Sequence, residues 1–313
     1  MNNYKGRQVP FSNKLASHDI YYFMDDFDRL VEMFDKTKRD VKHFYFGKST
    51  WGTKLCCFEL GQGSDCLLLH GGMHAREYIT SFLLLKIVND LKSFVLPFRV
   101  LIVPIMNPDG IEICIKGKKI LNSKNLPERY KKLLKNILGR CQHKLYKANG
   151  RGVDLNVNFD CDWGQGKNNF FGFASGENYV GSCPNSESET KALIALTKES
   201  NPFLTISFHS KGEVVYYGYK GQSKKSKLEQ KKYLKVFTRA GYKKCFTRNS
   251  CGGYKDYCLM NLDICAFTLE IGEDNLSHPI KYSHIDKLFS QNKNIVLELL
   301  RIKSMEKVCK NIL

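Results

Sequence analysis

Four short apolar runs constrain this chain more than any other feature: DCLLLHGG at 65–72, FRVLIVPIMNPDG at 98–110, FLTISFHS at 203–210 and CAFTLEIG at 265–272. Each is too short for a buried helix, lacks the alternation of a half-exposed strand, and ends in glycine or polar residues, as a strand buried on both faces does. Segments of helical period fall among them, including EYITSFLLLKIVNDL (77–91), SESETKALIALTKES (186–200) and a basic stretch at 225–241. Strands that alternate with helices predict an α/β fold with a mostly parallel sheet covered on both faces. A helix is expected over 19–37, then a hairpin from KHFYFGKST and GTKLCCFEL, a helix over 127–140, a strand over 213–219 and a terminal helix over 281–308. Residues 147–184 are rich in Gly, Asn and aromatics with little periodicity. A loop that long inside a compact domain is usually functional. No linker or composition break divides the chain, so residues 19–313 are expected to form one domain behind an N-terminal extension, 1–18.

Composition removes several function classes. With 42 % hydrophobic and 26 % charged residues, the chain is neither disordered nor fibrous. Its longest apolar stretch, FLLLKIV at 82–88, is far short of the roughly 20 residues of a membrane span. The net charge of +18 comes mainly from scattered lysines rather than arginines interleaved with aromatics, and no groove-reading motif accompanies it, so no nucleic-acid partner is expected. The 12 cysteines form no CxxC pair. That argues against a cysteine-based zinc site and for free thiols in a reducing compartment. With no signal peptide visible in the first residues, a cytoplasmic, monomeric protein is the expectation.

The chemistry concentrates at strand ends. His70, His74 and Glu77 follow the first apolar run and its Gly-Gly turn, and His209 closes FLTISF. Two histidines and a carboxylate are the ligand types of a catalytic zinc, which takes three protein ligands and leaves one position for water. The carboxyl ends of strands are where open α/β sheets place their sites. Glu270 sits within AFTLEIG, where an ionised carboxylate is costly unless it faces a cation or a wet cleft. From the residues alone, a base beside a metal and a strand-edge glutamate paired with lysine are both open readings.

Taken together, HGGMHARE, NPDG, GVDLNVNF, ENYVG with its following SESET, ISFHS, GGYKDY and FTLE stand in the order and spacing of a known family. Over residues 20–300 the chain resembles the zinc carboxypeptidases. The resemblance implies a single α/β domain with a mixed, twisted, eight-stranded sheet between helices. It also implies one Zn²⁺ held by His74, Glu77 and His209, with Glu270 as general base and acid. Asn156 would bind the substrate's terminal carboxylate and Arg76 a neighbouring subsite. Lys147 would supply the cation for the oxyanion, with Arg140 and Arg151 as substitutes.

Two departures bear on the substrate. Carboxypeptidases proper read Asn-Arg-Asn, the arginine clamping a free carboxylate, whereas this chain reads Asn156-Val157-Asn158. The position of the family's substrate-capping tyrosine falls near Arg248, with Tyr254 as a stand-in. The segments KANGRGVDLN, FHSKGE and GGYKD are more similar to a bacterial branch that includes peptidases cutting the γ-D-glutamyl–diaminopimelate bond of peptidoglycan stem peptides. For such a substrate, Lys211, Lys255, Arg151 and Arg248 are the candidate cations. A general metallocarboxypeptidase acting on L-peptides and a catalytically idle peptide-binding relative stand as alternatives.

Overall fold

The computed structural model describes residues 26–123, 126–248 and 250–312, the last three by backbone only. The expected extension over 1–18 and the start of the first helix lie outside them. The chain opens with α1 (Asp26–Asp40), β1 (His43–Lys48) and β2 (Lys54–Leu60), and continues through β3 (Cys66–His70), α2 (Ile79–Leu91), β4 (Arg99–Val103), α3 (Pro108–Lys116) and α4 (Glu128–Leu138). There follow α5 (Ser188–Ser200), β5 (Leu204–Ser210), β6 (Val214–Tyr217), α6 (Lys224–Arg239), β7 (Lys243–Phe246), α7 (Tyr254–Asn261), β8 (Cys265–Ile271), α8 (Ile285–Asn292) and α9 (Ile295–Ile312).

The strands form one eight-stranded mixed sheet in the order β1-β2-β4-β3-β5-β8-β6-β7. Its centre, β4-β3-β5-β8, is parallel, with antiparallel β1-β2-β4 on one side and β6 antiparallel to β8 on the other. Alternation along these strands divides the interior. Leu67, Leu69, Ile206, Phe208, Leu269 and Ile271 enter the larger core, shared with α2, α6, α8 and α9. Cys66, Leu68 and Ala266 enter a second core with Leu193 and Leu196 of α5 and Tyr254, Tyr257 and Leu259 of α7. Every residue of β3 and β5 is buried, which is why these strands read as apolar runs.

Three elements differ from the expectations. Asn107-Pro108-Asp109-Gly110 starts a helix instead of merely turning. Asn107 accepts a hydrogen bond from the Gly110 amide (2.9 Å), and proline occupies the first turn, where its missing N–H costs nothing. β7 is an exposed edge strand of two lysines, a cysteine and a phenylalanine, which has no apolar signature. The terminal helix is two helices, with α8 ending at Asn292 and α9 beginning at Ile295.

Leu68 is fully buried in the central strand. Leu68→Ala should therefore lower the unfolding free energy by about 2–5 kcal/mol in a urea titration. A cost under about 1 kcal/mol would show that the second core is not close-packed there.

A buried polar network ties the β1–β2 turn to the long loop. Asp109 accepts from Ser49 Oγ (2.7 Å), the Trp51 amide (2.8 Å) and Thr53 Oγ1 (3.2 Å). Glu189 accepts from the Thr50 amide (2.9 Å) and hydroxyl (3.3 Å) and from Asn149 Nδ2 (3.4 Å). Burial pushes Asp109 up to about 6 and Glu189 up to about 7. A carboxyl with a folded pKa above its unfolded one binds more protons when folded, so it erodes stability as pH rises through that interval. For Glu189 the window runs from 4.5 to about 7. Across it, stepped-pH urea unfolding of Glu189→Gln should show a shallower loss of stability than wild type. Parallel curves would mean that Glu189 ionises in the fold as it does in the unfolded chain.

Candidate active site

At the end of β3 the chain must turn sharply away from the sheet. Gly72 does so with φ at +61°, and a Cβ there would lie 2.5 Å from Ser81 Oγ, so only glycine fits without displacement. Asn107 holds the turn from below, donating to the carbonyls of Met73 (3.1 Å) and Ala148 (3.0 Å). A single 3₁₀ turn, Ala75–Glu77, then brings the side chains of His74 and Glu77 together. On the neighbouring strand β5, His209 sits directly across from Glu270 in the β5–β8 register, so both point to the same face of the sheet.

His74 Nδ1 lies 3.0 Å from Glu77 Oε1 and 3.0 Å from His209 Nδ1, and His209 Nδ1 lies 2.9 Å from Glu77 Oε2. One ligand atom from each residue falls within 4.8 Å of the others, and all three residues are buried. The far side of each ring is occupied. His74 Nε2 stands 3.2 Å from Asp154 Oδ1, and His209 Nε2 lies 2.9 Å from Ser207 Oγ. With the outer nitrogens facing those groups, each Nδ1 faces the Glu77 carboxylate and the other Nδ1. Two such nitrogens and a carboxylate fit a divalent cation, and zinc–nitrogen bonds of about 2.0–2.1 Å need only a slight widening of the gap.

The surrounding charges support that arrangement. Burial disfavours ionised Glu77, but His74 and His209 outweigh it and hold its carboxyl well below the usual range. Burial likewise opposes ionised Asp154, yet Lys147, 2.8 Å away, and His74 keep it strongly acidic. Burial and the charge of Glu77 push Glu270 up to about 7, which makes it a proton acceptor near neutrality. His70 lies on the same face but behind the group, its ring edge-on to Tyr254 at 4.6 Å. Burial drives its pKa well down, so it stays neutral and is not one of the converging ligands.

The other expected residues are placed unequally. Lys147 belongs to the centre, but its ammonium is committed to Asp154, so it acts on His74 through that carboxylate. Arg76 lines the rim, 3.4 Å from both the Leu145 carbonyl and Glu177. Asn156 accepts from the Tyr254 amide (3.1 Å), and its own amide donates to Asp154 (3.1 Å). Tyr254 cannot cap a substrate. Its ring is fully buried and its hydroxyl bonds to Thr197 (2.8 Å) and Thr205 (3.3 Å). Arg151 is exposed and turned toward Glu187 (3.9 Å), and Arg248 is exposed beyond β7. Among the four candidate cations for an acidic substrate, Lys255 alone is buried, bound to the Gly218 carbonyl (2.9 Å) and to Asp256. Sequence reasoning did not single out Asp154 or Ser207. Asp154 sits two residues before Asn156 inside a quoted motif, whereas Ser207 is signalled only by its i, i+2 spacing from His209 on one strand face.

A zinc-type centre at the carboxyl ends of parallel strands, with a half-buried glutamate beside it, defines a metallopeptidase of the carboxypeptidase fold. The family model described as Peptidase_M14, zinc carboxypeptidase, matches residues 30–294, and the chain belongs to that family. It is 26 % identical over 259 residues to gamma-D-glutamyl-L-diamino acid endopeptidase 1 of Lysinibacillus sphaericus, a match covering 76 % of this chain and 62 % of that protein. It is 22 % identical over 318 residues to the uncharacterized protein YqgT of Bacillus subtilis, covering 94 % and 81 % of the two chains. Among solved structures, bovine thrombin-activatable fibrinolysis inhibitor in complex with tick carboxypeptidase inhibitor matches with a TM-score of 0.65 at 20 % identity, covering 93 % of this chain and 99 % of that one. Murein-tripeptide amidase MpaA from Escherichia coli O157 matches with a TM-score of 0.53 at 20 % identity, covering 83 % and 91 %. These structural likenesses carry the fold.

Groups that orient metal-binding histidines typically change metal affinity by about 10–100-fold when removed. Ser207→Ala should therefore weaken zinc binding by that factor in a chelator competition. Unchanged affinity would mean that His209 needs no support at Nε2.

Proposed function

We propose that this zinc metallopeptidase hydrolyses a γ-D-glutamyl–diamino acid bond in peptides derived from bacterial cell wall. The observation that carries the hydrolytic part is the convergence of His74 Nδ1, His209 Nδ1 and the Glu77 carboxylate beside Glu270. Bound zinc supplies Lewis-acid polarisation of a carbonyl and acidification of a water. Within that frame Glu270 accepts the water's proton and returns it to the departing amine, a role suited to a carboxyl pushed up to about 7. Asp154, locked by Lys147, fixes the ring of His74, and Ser207 fixes that of His209. Asn156, shared between Asp154 and the Tyr254 amide, borders the place for the substrate.

The substrate class rests on two supports. One is the similarity to the Lysinibacillus endopeptidase, of which this chain spans 62 %. The other is Val157, which removes the bidentate clamp that a free main-chain carboxylate would use. Diaminopimelate carries a further carboxylate on its side chain, and a separate cation would then hold it. Arg76 at the rim is suited to that.

The test is zinc-loaded protein assayed on L-Ala-γ-D-Glu-diaminopimelate and on an N-blocked L-dipeptide. Cleavage of the first and not the second is expected. The reverse would return the chain to general carboxypeptidases. Glu270→Gln should retain zinc while losing about 10²-fold or more in kcat, the share expected of a positioned acid–base group. Full activity in that variant would displace Glu270 as the base.

A further inference from the structure

Cys161 and Cys251 lie on the two segments that border Asn156, and neither takes part in the chemistry above. We propose that they are a redox pair, joined as a disulfide by a low-molecular-weight disulfide such as oxidised glutathione. The backbone already holds them together. The Gly252 amide donates to the Cys161 carbonyl (2.8 Å), and the Phe159 amide donates to the Gly252 carbonyl (2.9 Å). A hydrogen bond from the residue after Cys251 to the carbonyl of Cys161 sets their α-carbons about 5–6 Å apart, the span that a disulfide needs. One phenol also joins the same two segments. Tyr219 Oη lies 3.3 Å from Cys251 Sγ. The phenol is anchored in turn on Asp162 (2.8 Å).

Exposure decides the order of attack. Cys251 is half-buried and Cys161 is buried, and burial pushes the Cys161 thiol up to about 12. Cys251 is therefore the entering thiol. Its thiolate attacks one sulfur of oxidised glutathione, the S–S bond breaks, and one glutathione thiolate leaves. Cys161 then loses its proton and attacks the Cys251 sulfur, expelling the second glutathione thiolate, and the protons pass to the two leaving thiolates. The protein dithiol is oxidised by two electrons and the glutathione disulfide is reduced by two. The link ties the Asn156–Phe159 segment covalently to the start of α7, where Gly253 and Tyr254 meet Asn156. Since the backbone contact exists beforehand, closure moves little.

The experiment incubates the full chain with oxidised glutathione, blocks remaining thiols, and maps linked peptides by mass. Expected is the loss of two hydrogens in a species joining the peptides of Cys161 and Cys251, reversed by dithiothreitol. Cys161→Ser should stop the reaction at a glutathione adduct on Cys251, while Cys183→Ser at an exposed thiol should leave the linkage unchanged. Should Cys161→Ser not fold, the wild-type map decides alone. A lasting glutathione adduct on Cys251 in wild type, or Cys161 linked to its buried neighbour Cys258, would overturn the pair. Neither readout uses metal or substrate, so failure here leaves the peptidase assignment untouched.

Discussion

In-register parallel pairing of β5 with β8 sets His209 opposite Glu270 and Ser207 opposite Thr268 on one face of the sheet. Side chains on a strand alternate, so a slip of one residue would send His209 and Glu270 into the larger core, beside Phe208 and Leu269. The register is enforced by burial. Thr205 through Phe208 on β5 and Ala266, Phe267 and Leu269 on β8 are all buried, so both strands are packed on both faces. The same face receives His74 and Glu77 from the turn after β3, so three separate pieces of chain meet over the ends of parallel strands.

Charge at such a place is stable only in company. Glu77, Asp154, Lys147 and Glu270 are all removed from most solvent, and an isolated ion there would be neutralised instead. Asp154 is satisfied on all sides: Lys147 at 2.8 Å, His74 at 3.2 Å, and the amides of Asn156 (3.1 Å) and Asn178 (3.2 Å). Glu77 is held by both histidines and by the Ser210 amide at 3.2 Å. Glu270, facing Glu77 and without an ion pair among the described residues, is the member whose proton is easily exchanged near neutral pH. Roles separate by environment, as the acid–base pairs of hydrolases do.

Much of this was legible in the sequence, for identifiable reasons. Strands buried on both faces announce themselves as apolar runs, and β3, β4, β5 and β8 were visible as such. β7 was not, because Lys243, Lys244, Cys245 and Phe246 all face solvent and carry no pattern. Asn-Pro-Asp-Gly serves equally as a turn or as the start of a helix, and only the following Ile111 and Ile113, both buried, decide for α3. The three residues that converge, His74, Glu77 and His209, are readable from residue type and motif order. Their supports were harder, since a serine or aspartate that orients a histidine has no required spacing from it. Tyr254 was misplaced because sequence gives adjacency to Gly252-Gly253 but not the direction in which the ring turns.

The long loop keeps its frame without using the side chain of Val157. Residues 147–159 have little regular structure, and asparagine side chains take its place. Asn149 accepts from the amides of Arg151 (3.0 Å) and Val153 (3.1 Å) and donates to Glu187 (2.8 Å). Asn158 donates to the Val180 carbonyl (2.8 Å) and to Ser186 (2.9 Å), and accepts from the Glu187 amide (3.2 Å). Asp154 and Asn156 are fixed between these anchors, whereas the side chain of Val157 is not one of them and is partly exposed. The anchors hold the loop through backbone groups and carboxylates that do not involve position 157. A valine at position 157 therefore sits on a scaffold that keeps Asp154 against His74 without its help.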